Sequence, residues 1–112
     1  MRYALLINER PGAYDSLDER ERAAVTAEYM AFRDDPRVFG GEHLQPAETA
    51  TTVRLAHGEL LLTDGPFADT KEIFGGYFLV EAPDLDSALE LAGRMPALRF
   101  GGSVEVRPLV SR

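Results

Sequence analysis

Apolar and polar residues follow one another in short segments whose spacing predicts alternating strands and helices. Residues 3–8 are apolar at nearly every position, as in a strand, and a helix is predicted from Leu17 to about Arg33, where small apolar residues recur every three or four positions. Ser16 and Glu19 are spaced as a capping box, in which each side chain binds a free amide of the first turn. Pro36 ends the helix because a proline disfavours helical geometry at the residue before it.

The middle of the chain is divided by turn residues into short strands. Residues 49–55 alternate and are rich in β-branched side chains, and residues 59–63 return as their hairpin partner after a tight turn at His57-Gly58. The Asp64-Gly65-Pro66-Phe67 turn then leads through a charged segment to a strand over residues 77–82.

The end of the chain predicts one more helix and one more strand. Asp84 is a candidate N-cap, a buried helical face with i, i+3, i+4, i+7 spacing follows it, and Pro96 closes the helix. Residues 103–110 form the last strand, while glycine pairs such as Gly40-Gly41 are interpreted as turns or bulges. The order of elements predicts an α+β fold, a ferredoxin-like plait with an antiparallel sheet and both helices on one face.

Two helices leave the other face of such a sheet uncovered. The pattern assigns large apolar side chains to this face, opposite Phe78 and Val80, namely Tyr3, Leu5, Ile7, Tyr77 and Leu79. Leaving each of them in water would forfeit about 1.5–3 kcal/mol. We therefore expect a homodimer in which two sheets pack face to face. The alternative is that residues 36–50 fold over this face.

Length and composition limit the classes of function. The 112 residues fit a single domain over residues 1–112, and the net charge of −7 opposes direct binding to nucleic acids or anionic membranes. The chain has no cysteine, and no apolar stretch approaches the ~20 residues of a membrane span. The apolar run near the N-terminus is too short for a signal peptide, so we expect a cytoplasmic protein. No phosphate-binding motif is present, and no cofactor is expected.

Asp64 is the first candidate for a functional side chain. It ends a strand where Gly65 and Pro66 impose a turn, and Lys71 follows closely enough to pair with it or to bind an anionic ligand. A partly buried carboxylate beside a lysine can serve as a general base or bind a substrate hydroxyl or amine. The alternative is an Asx turn, in which Asp64 only binds backbone amides two residues ahead.

Three further charged residues lie on strands, opposite the apolar set of each strand: Arg54, Glu105 and Arg107. Enclosed between two copies, they would form either a structural ion-pair network or the wall of a carboxylate-binding pocket. The two histidines, His43 and His57, lack the spacing of metal ligands, and no metal site is expected.

Several segments together resemble the YCII-related family, in the branch called DGPF-domain proteins: Thr51-Thr52-Val53-Arg54, Thr63-Asp64-Gly65-Pro66-Phe67 with Thr70-Lys71-Glu72, Gly75-Gly76-Tyr77, the helix at 84–92 and Val104-Glu105-Val106-Arg107-Pro108. The resemblance covers almost the whole chain and implies a ferredoxin-like fold that pairs as a dimeric α+β barrel. Relatives in this family pair a histidine on the first helix with an aspartate before the last strand. Neither is present here, because residues 17–33 contain no histidine and residues 94–99 no aspartate.

The resemblance implies two functions. Some relatives are lyase-like dehydrochlorinases of aromatic acids, which suggests a cofactor-independent enzyme or a binder of small organic acids. Asp64 would then be the acid or base, and Arg54, Lys71 or Arg107 would hold the anion. The alternative is a regulatory module with a protein partner in sigma-factor-dependent transcription, because DGPF-type proteins resemble accessory partners of such factors.

Overall fold

The computed structural model describes residues 1–65 and 71–111. Its elements in chain order are β1 (Arg2–Glu9), α1 (Glu19–Arg33), β2 (Val38–His43), β3 (Thr51–Ala56), β4 (Glu59–Asp64), β5 (Ile73–Glu81), α2 (Leu85–Ala92) and β6 (Ser103–Pro108). Short 3-10 turns lie at Ala47–Thr49 and Pro96–Phe100. Pro66 and Phe67 of the predicted turn lie outside the described residues.

The main sheet is antiparallel, with the strand order β2-β5-β1-β6. Both helices contribute to a single core on one face of this sheet, through Phe32 from α1 and Ala88, Leu91 and Ala92 from α2. This arrangement confirms the predicted α+β, ferredoxin-like plait. The hairpin β3–β4 forms a separate two-stranded sheet. Along the chain it lies between β2 and β5, which pair directly with each other in the main sheet.

Cross-strand pairing shows that the predicted faces of β1 were wrong. Tyr3 pairs with Val80 and Leu5 with Phe78, and residues directly opposite in a sheet share a face. Tyr3, Leu5 and Ile7 therefore lie under the helices, with 2%, 0% and 4% of their surface exposed. Alternation separates the two faces of each strand, but only the register shows which faces match between strands.

The uncovered face carries a different set of large apolar groups from the expected one. Leu6 pairs with Tyr77 across β1 and β5, and Ala4 pairs with Leu79. The side chains of Leu6, Tyr77 and Leu79 are only partly buried. Of the five side chains assigned to this face, only Tyr77 and Leu79 lie on it, and Leu6 lies there with them.

Helix α1 starts two residues later than predicted. The Asp18 carboxylate accepts a hydrogen bond from the Glu21 amide at 2.8 Å, and the Glu21 carboxylate accepts one from the Asp18 amide at 3.3 Å. The capping box is therefore formed by Asp18 and Glu21, not by Ser16 and Glu19. The sequence contains both overlapping spacings, and the loop before the helix decides between them. Asp84 caps α2 as predicted, through the Ser87 amide.

Two glycine pairs, Gly40-Gly41 and Gly75-Gly76, lie inside strands, where the neighbouring backbone leaves no room for a side chain. A Cβ on Gly41, whose φ is 145°, would lie 2.4 Å from the carbonyl oxygen of Tyr77, and one on Gly76 would lie 2.7 Å from that of Glu42. Of the two roles expected for such pairs, the structure has bulges rather than turns here: the pairing of β2 with β5 shifts between Val38 and Gly40, and Gly41 is part of the contact between these strands.

The hairpin β3–β4, here called the arm (Thr51–Asp64), projects from the body. Its turn is the one predicted, with positive φ at His57 and Gly58. Every residue of β4 is exposed. The radius of gyration is 15.9 Å, whereas a compact chain of this length would have roughly 13 Å. The arm accounts for this excess because the remaining sheet and helices share one core.

Replacing the N-cap should separate the two capping boxes. Asp18→Ala removes the acceptor for the Glu21 amide, so we expect the free energy of unfolding to fall by about 1 kcal/mol. Urea unfolding followed by circular dichroism measures this change. Ser16→Ala is the matched control and should leave stability within about 0.5 kcal/mol of the original. A larger loss in Ser16→Ala than in Asp18→Ala would contradict the observed cap.

Candidate functional site

A cleft of about 580 Å³ opens beside α1. Its walls are α1, the loop between β1 and α1, the first residues of β5, and residues 42–48, which comprise the end of β2 and the segment after it. The volume lies within the ~300–1,000 Å³ typical of small-molecule sites. The exposed apolar residues Met30 and Leu44 form part of the wall, so the cleft offers surface for an apolar ring.

Glu9, the last residue of β1, places a carboxylate in this cleft. The pairing of β1 with β5 shifts by one residue after Ile7, and Gly75 is the extra residue of β5 at this bulge. A Cβ on Gly75 would lie 2.8 Å from the Glu9 carboxyl carbon. The glycine therefore leaves the space that the carboxylate occupies, and bulges of this kind often reposition side chains at functional sites.

Two tyrosines from different elements lie next to this carboxylate. The Tyr14 hydroxyl, in the loop before α1, donates a long hydrogen bond of 3.4 Å to Glu9 Oε1. The Tyr29 hydroxyl, on α1, accepts a hydrogen bond of 3.2 Å from the Ala97 amide. The Tyr14 ring also packs against Phe100, with the ring centres 5.2 Å apart.

The environment keeps both phenols protonated. Burial, the neighbouring Tyr29 and the Glu9 carboxylate, in this order of importance, raise the pKa of Tyr14 well above its usual value. Burial also raises the pKa of Tyr29, although hydrogen bonds from Tyr14 and the Ala97 amide oppose it. Near neutral pH, the pair Glu9–Tyr14 is therefore a carboxylate beside a neutral phenol that can only donate to it.

Arginines supply the positive charge of the cleft, and their partners differ. The guanidinium of Arg22 donates to the carbonyl oxygens of Tyr14 at 2.7 Å and Leu17 at 3.0 Å, so it is engaged in fixing the loop. Arg33 donates to the Gly41 carbonyl at 3.1 Å. Among the described residues, no hydrogen bond or ion pair is found for the guanidinium of Arg10. Arg10 is thus the cleft cation best placed to bind an anionic ligand.

Comparison with known proteins agrees with the fold. The family model for the YCII-related domain matches residues 1–111. The chain belongs to the YCII-related family. An uncharacterised protein of Rhizobium meliloti (strain 1021) is 37% identical over 93 residues, which cover 82% of this chain and 75% of that protein. The family is thus shown, while membership of the DGPF branch stays a prediction.

One solved structure shares the fold of this YCII-related chain. It is the 5-chloro-2-hydroxyhydroquinone dehydrochlorinase TftG of Burkholderia phenoliruptrix AC1100, in complex with 2,5-dihydroxybenzoquinone. The match has a TM-score of 0.55 and covers 100% of this chain and 96% of that one. The sequences are 17% identical, so the similarity supports a shared fold and does not show a shared reaction.

The site residues predicted from sequence lie outside the cleft of this YCII-related chain. Asp64 is exposed at the base of the arm, and Arg54 is on β3, paired with Leu61 across the hairpin. Lys71 is also exposed. Glu105 and Arg107 form a salt bridge with each other on the uncovered face of the sheet. The structure does not gather these residues around one enclosed space, and their roles in binding or catalysis stay predictions.

Sequence reasoning missed Glu9, Arg10, Tyr14 and Tyr29. A weak signal was available, because Glu9 and Arg10 follow the apolar run of β1 directly and Tyr14 lies in a glycine-containing loop. Their convergence needs the bulge of β5, which the sequence does not show. In residues 1–65 and 71–111, no cluster of three metal-ligating side chains is found. No helix there is long and apolar enough to cross a membrane.

The raised pKa of Tyr14 predicts a loss of stability at alkaline pH. In the unfolded chain the phenol ionises near pH 10, whereas in the folded protein it holds its proton to higher pH. Stability should therefore fall as pH rises above about 10, with a slope below the ~1.4 kcal/mol per pH unit of a fully shielded group. Urea unfolding between pH 8 and pH 11 measures this slope, which Tyr14→Phe should reduce. An unchanged slope in Tyr14→Phe would contradict the assignment.

Proposed function

We propose that the cleft binds a small organic acid or hydroxylated ring, and that the protein is a cofactor-independent, lyase-like enzyme or binder of such a compound. The observation that carries this proposal is the Glu9 carboxylate, seated over Gly75 in a cleft of ligand size and hydrogen-bonded by Tyr14. Polar groups that converge in a partly apolar cleft are the usual mark of a small-molecule site.

Each side chain has a separate role in the proposed site. Glu9 accepts a proton or a hydrogen bond from a ligand hydroxyl, which is the ordinary task of a carboxylate acting as a base. Tyr14 remains neutral and donates to Glu9 or to a ligand oxygen. Arg10 attracts the negative charge of the ligand, and Met30 of α1 contacts its ring.

The structural neighbour supports the choice of ligand class. TftG was solved with 2,5-dihydroxybenzoquinone, a ring that carries two hydroxyl groups. Such a compound offers acidic hydroxyls for Glu9 and a flat surface for the apolar wall. The usual catalytic pair of the family is absent here, so any chemistry would use Glu9 and Tyr14 rather than a histidine on α1.

A homodimer forms a second part of this proposal. Leu6, Tyr77 and Leu79 on the uncovered face are the side chains that sheet-to-sheet packing would bury. A regulatory role with a sigma factor stays an alternative that rests on the sequence resemblance. No contact among the described residues gives further support to this role.

Ligand binding tests the cleft directly. We expect 2,5-dihydroxybenzoquinone to bind the wild-type protein in a calorimetric titration, and Glu9→Gln to weaken binding about 10- to 100-fold. Loss of a hydrogen bond to a charged group costs about 1.5–3 kcal/mol, which corresponds to this range. Arg10→Gln should weaken the binding of the ionised ligand, with a smaller effect at high salt because that charge is exposed.

Asp64→Asn is the matched control for this experiment. It also neutralises one carboxylate, but at the base of the arm and outside the cleft. We expect it to bind like the wild type. If Asp64→Asn lost affinity while Glu9→Gln did not, the site would lie at the predicted turn and the cleft proposal would fail. If the wild type bound neither this compound nor 5-chloro-2-hydroxyhydroquinone, the proposed ligand class would be wrong.

A further inference from the structure

The two faces of the arm differ in chemistry. In the register of the hairpin, Val53 pairs with Leu62 and Leu55 with Leu60, so these four aliphatic side chains share one face. We call this set the aliphatic strip. Between 57% and 73% of the surface of each residue is exposed. The opposite face carries Arg54, Glu59 and Leu61, and Leu61 pairs with Arg54 across the hairpin.

Nothing in the described part of the chain covers the strip. A two-stranded hairpin alone is at most marginally stable in water, because it lacks a second layer. At the base of the arm, the Gly65 amide donates to the Ala50 carbonyl and the Thr52 hydroxyl donates to the Gly65 carbonyl, so these hydrogen bonds continue the pairing of the hairpin. A contiguous exposed apolar surface of this kind marks a site of association rather than a free surface.

We infer that the aliphatic strip packs against a second copy of this chain, so that each arm clasps the other subunit. This deepens the homodimer proposed above and is independent of the ligand in the cleft. The strip holds no charged side chain; its only charged neighbour on that face is Asp64 at the base. Two chains that each carry a net charge of −7 repel one another over most of their surface, and the strip is where they can approach without this cost.

The size of the strip argues for a contact that includes more than the arm. A standard interface uses about 20–30 residues on each side, and the strip supplies four. The uncovered sheet face, with Leu6, Tyr77 and Leu79, supplies further apolar surface on the same chain. A two-fold dimer can use both surfaces, because each is present once in every subunit. A partner that bound through charge would instead be drawn to the acidic remainder of the surface.

Substitutions on the two faces of β4 test this inference. Leu62→Glu places a charge in the strip, and Leu61→Glu places the same charge on the opposite face of the same strand. In sedimentation equilibrium we expect the wild type and Leu61→Glu to dimerise alike, and Leu62→Glu to dimerise at least ten-fold more weakly. Circular dichroism should show the folded body in all three. Leu79→Glu reports separately on the sheet face.

Thiol labelling gives a second measurement that does not depend on a disruptive charge. The chain contains no cysteine, so Leu60→Cys and Leu61→Cys each introduce a single thiol. As protein concentration rises, labelling of Leu60→Cys should slow, while labelling of Leu61→Cys should not change.

The outcomes separate the arm from the dimer. A wild type that is monomeric at all concentrations would overturn both the clasp and the homodimer. If the wild type dimerised and Leu62→Glu did so equally well, the clasp alone would be overturned, and loss of dimer in Leu79→Glu would then assign the interface to the sheet face. Equal weakening by Leu61→Glu and Leu62→Glu would also overturn the clasp, since it would show no preference between faces.

Discussion

The pairing of β1 with β5 is the constraint on which the rest of the structure depends. β1 lies between β5 and β6 in the sheet, and its residues Tyr3, Leu5 and Ile7 face the helices together with Phe78 and Val80. Burial of each large side chain contributes about 1.5–3 kcal/mol. A shift of one residue would turn the whole set to the uncovered face and expose it. The core therefore specifies this register strongly, and α1 and α2 can pack only on the side that it defines.

The same register produces the candidate site. Because the core fixes Ile7 opposite Gly76, the extra residue Gly75 must be accommodated where β1 ends, and Glu9 then lies opposite Ile73. The carbonyl of Gly75 accepts a hydrogen bond from the Leu44 amide, which ties the bulge to the segment after β2. The cleft carboxylate is thus held by strand pairing rather than by a mobile loop. A site supported in this way keeps its geometry without a bound ligand.

The sequence predicted the element types well because each depends on local information. Asp84 as a cap, the His57-Gly58 turn and the positions of both helices follow from spacing within a few residues. The strand faces, the strand role of Gly41 and the choice of cap for α1 could not be derived in the same way. Each is decided by a neighbour distant in sequence or by a loop conformation. The site was missed for the same reason, since Glu9 and Tyr29 meet only in the folded chain.

The proposed site also constrains the acidity of a substrate. Tyr14 stays neutral over the physiological range, so in the pair with Glu9 the carboxylate is the only group that can accept a proton. A carboxylate is a weak base. Such a pair can remove a proton readily only from an acidic group, such as a hydroxyl on an electron-poor ring. An unactivated C–H bond would need a stronger base than these two side chains provide. The arrangement therefore favours acidic, oxygen-rich ligands over neutral alcohols.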